Sequence, residues 1–82
     1  MKYIVVCYSV HDMTVASCDP FATEEAARTF MKEDARFVYE EERQHDETAE
    51  FEDCGGIIYV SACNKSAEWT WQICLVNDAP AN

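Results

Sequence analysis

A histidine beside an aspartate, with a cysteine eight residues further on, is the closest this sequence comes to a catalytic set: His45, Asp46 and Cys54. A thiol nucleophile needs a base held within hydrogen-bond reach and a third group to orient that base. These three lie in an acid-rich run with no regular element to hold them, and neighbouring carboxylates disfavour a thiolate. The phosphate-binding glycine loops, H-E-x-x-H and G-x-S-x-G are all absent. Five cysteines stand at positions 7, 18, 54, 63 and 74, an odd number with no C-x-x-C spacing. A disulfide framework would leave one thiol over, and a zinc site wants clustered ligands. Cys7, Cys63 and Cys74 fall within predicted strands and read as small buried hydrophobes in a reducing cell. The expectation is a protein that is not an enzyme and takes no metal or cofactor.

Carboxylates are the chemistry this chain has in excess. Sixteen acids face six bases, a formal net charge of −10. Residues 40–53, EEERQHDETAEFED, hold eight acids and one arginine, which leaves seven of the ten net charges within fourteen residues. Such a surface repels nucleic-acid phosphate and anionic membrane and favours a basic protein partner. The candidate partner-binding residues are Glu40, Glu41, Glu42, Asp46, Glu47, Glu50, Phe51, Glu52 and Asp53. Phe51 stands alone among acids, where an exposed ring can anchor an interface. The competing reading of the same run is a solvated helix end followed by an acidic loop over about 46–56.

The element that positions these residues is a helix predicted over residues 23–45. That segment has no Gly or Pro, and Ala26, Ala27, Phe30, Met31, Phe37 and Val38 recur at helical spacing. At 100° per residue they fall within an arc of about 140°, one buried face. Thr23 is a good N-cap, and Glu24 and Glu25 place negative charge where the helix dipole favours it. The helix should run roughly 20 residues, about 30 Å. Asp34 projects near the middle of the apolar arc. It is either an acid of functional use or the acceptor for a Tyr hydroxyl, a backbone N–H or a water. Glu24–Arg28 and Glu33–Arg36 are spaced as helical ion pairs of about 0.2–0.5 kcal/mol each.

Strands flank the helix. Residues 2–10, KYIVVCYSV, are apolar on both parities, as a central strand covered on both faces would be. Residues 14–18 return as a second strand after a turn at 11–13 whose length leaves the register open. Asp19-Pro20 is expected to end that hairpin. Phe21 should tuck under the helix start as a staple does. After Gly55-Gly56, residues 57–63 and 69–76 form a closing hairpin around a five-residue loop, with Cys63 opposite Trp69 and Ser61 opposite Trp71. Residues 78–82 read as a frayed tail. The architecture expected is α+β, β-β-α-β-β, one long amphipathic helix packed on a small antiparallel sheet in a single domain. One helix covers one side of such a sheet. A homodimer through the sheet or its edge is therefore expected. With no apolar run of signal-peptide or transmembrane length, a cytoplasmic location is the simplest expectation.

The opening strand, the hairpin V-A-S-C-D-P and the helix start T-E-E-A resemble the N-terminal half of HicB-family antitoxins. That half runs strand, strand, a Cys-Pro or similar, then a Thr-x-Glu-Ala helix; the resemblance covers about residues 1–45 and implies a toxin-neutralising module. In size, charge and architecture the whole chain is similar to small acidic proteins of phages and mobile elements, anti-CRISPR proteins among them. Several of those are DNA mimics that fill a basic nucleic-acid channel, which implies an inhibitor acting by charge mimicry. The expected function is thus an acidic binding protein that blocks a basic nucleic-acid-handling protein. The alternative is a HicB-like or dimeric scaffold module binding through an apolar sheet face.

Overall fold

The computed structural model describes residues 2–76, so the tail expected over 78–82 lies outside them. Strands β1 (Lys2–Ser9) and β2 (Thr14–Phe21) precede helix α1 (Glu24–Arg43), and β3 (Glu50–Asp53), β4 (Ile57–Ala62) and β5 (Ala67–Val76) follow it. The strands form one antiparallel sheet in the order β2-β1-β5-β4-β3, and α1 packs across one face. The fold is α+β, with β3 as a fifth strand where the acidic loop over 46–56 was expected.

The helix begins as its sequence dictates. Thr23 is extended (φ −129°, ψ 153°), and its hydroxyl accepts the Ala26 N–H at 3.1 Å. Arg28 pairs with Glu24 at 3.5 Å, and Phe21 packs on Phe30 with ring centroids 5.0 Å apart. The buried stripe, however, is Ala27, Met31 and Ala35, with Val38 and Tyr39 packed beside it. That stripe is rotated about 70° from the expected arc on a 100° wheel. Phe37 consequently lies 63% exposed, and Ala26 is exposed as well. The small Ala27 and Ala35 let the helix axis approach a sheet whose centre carries the bulky, fully buried Trp71. Asp34 does find a donor, and it is that indole: Trp71 Nε1 donates to Asp34 Oδ2 at 2.9 Å. Burial of Val5, Met31, Ile58 and Val60, all fully inaccessible, contributes about 1.5–3 kcal/mol each.

Several strand expectations are corrected. β2 continues through Asp19 and Pro20 to Phe21, because it is an edge strand and Pro20 needs no outward hydrogen bond there. The first turn spans residues 10–13, with Met13 at φ 56°, and a bulge between Cys7 and Tyr8 sets the register. In the last hairpin the loop is residues 63–66, and β5 begins at Ala67. Val60 therefore faces Trp69 and Ile58 faces Trp71, three residues out of step with the expected pairing, an odd number. The slip exchanges the faces. Ile58, Val60 and Ala62 turn to the helix, while Ile57, Tyr59 and Ser61 turn away from it. Only Cys7 of the cysteines is buried; Cys63 stands in the turn, and Cys74, opposite Ile4, lies on the side away from the helix, so both are exposed.

Candidate functional site

Strand β3 is four residues long, EFED, and one of them is apolar. It is a strand because the helix holds it from one side. The Arg28 Nη1 donates to the Gly55 carbonyl at 3.1 Å beyond one end, and Arg43 Nη1 to the Ala49 carbonyl at 3.4 Å before the other. Between them the Arg36 guanidinium lies 5.3 Å from the centre of the Phe51 ring, which also meets Tyr39 edge-on at 5.7 Å. Arg36 is thus placed over the ring as a cation on a π face. Phe51 is half-buried against the core. It is a packing residue of the helix side, not the exposed anchor expected from its acidic neighbours.

Alternation along the strand sends Glu50 and Glu52 to the opposite face, away from the three arginines. There they meet Glu68 at the start of β5. Together with Tyr59, Ser61 and Lys65 these carboxylates line an open groove of about 180 Å³ across β3, β4 and β5. β4 supplies its floor through Tyr59 and Ser61, and the carboxylates stand on the two flanking strands. Lys65 Nζ reaches Glu50 at 4.0 Å, but both side chains are about two-thirds exposed (69% and 65%). Such a pair is worth little and leaves the groove net negative. Glu68 and Tyr59 are absent from the sequence candidates. The signal that would have found them is the i, i+2 alternation of a β3 strand paired with β4.

The remaining candidates separate. Asp46 is spent on structure. Its carboxylate accepts the Thr48 hydroxyl at 2.6 Å, the Thr48 N–H at 2.9 Å and the Cys63 N–H. The Thr48 hydroxyl oxygen in turn accepts the Asn64 N–H at 2.7 Å. These bonds hold the carboxyl at a pKa of about 2, the Thr48 hydroxyl first among the causes. They also secure a turn in which Cys63, Asn64 and Lys65 are all left-handed, with φ of 53°, 55° and 69°. Asp53 turns back to accept the Gly55 N–H at 2.9 Å, closing a turn where Gly55 has φ 87°. Glu40, Glu41 and Glu47 stand in solvent, and Glu42 is half-buried at the helix end.

The His45, Asp46 and Cys54 set is not assembled. His45 precedes β3 and Cys54 follows it, so four strand residues, about 13 Å, intervene. Among the described residues no group of three or more His, Cys, Asp or Glu side chains is placed to hold a metal ion. No helix among them is long and apolar enough to cross a membrane. No family model, curated protein or solved structure matches the chain, so the groove is known by its geometry alone.

Proposed function

We propose that this chain is a non-enzymatic acidic binding protein that inhibits a basic nucleic-acid-handling protein, as an anti-CRISPR-like or similar counter-defence inhibitor would. The observation that carries the reading is the groove formed by Glu50, Glu52 and Glu68, three carboxylates on the face away from α1, with Lys65 the one cation lining it among the described residues. Its carboxylates take the Lys and Arg sites that otherwise neutralise phosphates, and the net charge of −10 steers the encounter. Glu40, Glu41 and Glu47 extend the negative field beyond the groove.

The test is binding across a salt series, after capture of the partner from host extract and its identification by mass spectrometry. Charge reversal at Glu47, Glu50 and Glu52, all exposed, is expected to abolish binding while circular dichroism stays unchanged. Wild-type affinity should itself fall steeply with ionic strength. Undiminished binding by the triple reversal would overturn the reading.

A second reading has its own observation. Tyr8 is 36% exposed and Val15 58%, side by side on the sheet face that α1 leaves open. A HicB-like or dimeric scaffold module working through that face would bind by apolar burial, with little response to salt.

A further inference from the structure

We infer that the uncovered face of the sheet docks a basic amphipathic helix of the partner, apolar stripe on β1 and basic side chains in the carboxylate groove. The inference rests on the acidic-binding reading above and adds the shape and chemistry of what is bound.

Two observations lie on the same face. Ile4, Val6 and Tyr8 alternate with the buried Val5, Cys7 and Ser9, so they form an apolar row along β1 on the side away from α1. A strand apolar on both parities is built to be covered on both faces, and among the described residues α1 covers one of them. The acidic rail crosses the sheet at the Tyr8 end of that row: Glu52 on β3 is in register with Tyr8 through Tyr59 and Thr70, and Glu68 on the adjoining β5 and Glu50 on β3 lie one step beyond. A helix with its side chains is about 10–12 Å wide, and strands lie about 4.8 Å apart. A helix laid along β1 therefore covers β2, β1 and β5, so Glu68 lies at its flank and Glu50 and Glu52 stand two strands further on, across β4. A Lys or Arg side chain from that flank meets Glu68 and extends over Tyr59 on β4, which brings its charge into the groove that Glu50 and Glu52 line from the other side.

Other occupants fit less well. An extended peptide added at the β2 edge would meet Pro20, which offers no N–H to the ladder. A second copy on this face would bring the Glu50, Glu52 and Glu68 carboxylates of two chains, each carrying −10, into one interface. The apolar row asks for hydrophobic cover, and the rail beside it asks for cations. A basic amphipathic helix supplies both.

The test uses the full chain, isotope-labelled for NMR, at physiological ionic strength. The probe is a synthetic Leu/Lys amphipathic peptide of roughly 18 residues, five helical turns. A Leu/Glu counterpart and a scrambled Leu/Lys peptide of the same composition serve as controls. Saturable binding of the patterned peptide is expected, with shift changes confined to the strand amides and absent from α1. Tyr8→Ala and Val15→Asp should each weaken it roughly tenfold, as should the pair Glu50→Lys and Glu52→Lys. Val15→Asp is the sharp variant, because Val15 is exposed and the change adds a negative charge. Tighter binding after it, or equal binding of the scrambled peptide, would mean attraction by charge alone: this inference would fall and the acidic-binding reading would stand. Shift changes on α1 would also overturn it, as would a stable dimer of the free chain occupying this face by sedimentation and cross-linking. No binding of either Leu/Lys peptide would sink both readings together.

Discussion

Asp46 illustrates how an acid in a charge-rich run can serve the fold. Its carboxyl sits at about 2, below the ordinary 3.8, because three donors address its charged form. A depressed folded-state value means the stabilisation is complete above 3.8 and is lost as pH falls toward 2. Melting temperatures of wild type and Asp46→Asn should therefore differ at neutral pH, with the variant lower, and converge as pH approaches 2. A constant difference across that window would remove Asp46 as the cause. Cys7 is the opposite case. Burial, with the Asp34 carboxylate adding to it, pushes its thiol up to about 11. At pH 8 iodoacetamide should label Cys18, Cys54, Cys63 and Cys74 in the native protein, and Cys7 only after unfolding. Mass spectrometry of the labelled peptides reads the result directly. Trp71 holds the third such position. Trp71→Phe keeps an aromatic ring in the core but removes the donor to Asp34, so urea unfolding should show a loss of about 1–3 kcal/mol.

Two phenylalanines show which parts of the elements could be read in advance. Phe37 fits the helical periodicity and is exposed, whereas Phe51 fits no pattern and packs between α1 and β4. Phe51→Ala should cost about 2 kcal/mol, near half the ~3–5 kcal/mol of a fully buried ring. Phe37→Lys should stay within about 0.5 kcal/mol. Denaturant midpoints of the two variants make the comparison, and equal losses would contradict the placement of both rings. The helix, its Thr23 cap and the flanking hairpins were legible because their signals are local. Strand β3 was not, since it depends on Arg28, Arg36 and Arg43, which approach it only once α1 has docked. The register of the last hairpin was hidden for a similar reason. Its turn uses three left-handed residues, none of them Gly, and what favours that conformation is the distant Asp46–Thr48 pair. With the register three residues out, Tyr59 and Glu68 could not be recognised as neighbours of Glu50 and Glu52.

At the scale of the molecule, charge is sorted as well as abundant. Arg28, Arg36 and Arg43 are all turned toward β3 from the helix side, while Glu50 and Glu52 leave it on the other. The helix side of that edge is neutralised within the chain, and the uncovered face of the sheet keeps its negative field. That face is the one a basic partner would meet under the proposed function.

The left-handed turn over 63–65 also carries a consequence for how the chain reaches this structure. Each such residue is disfavoured by roughly 1–2 kcal/mol in isolation. The bonds that offset this come from residues 46 and 48, on the far side of β3 and β4. The hairpin cannot draw on them until the helix end has arrived, so the turn belongs to the last events of folding. Loosening the clamp should then accelerate unfolding and leave the folding rate nearly unchanged. In stopped-flow chevrons of Asp46→Asn, the unfolding limb should rise while the refolding limb overlays that of wild type. A slowed refolding limb would instead place the turn in the nucleus.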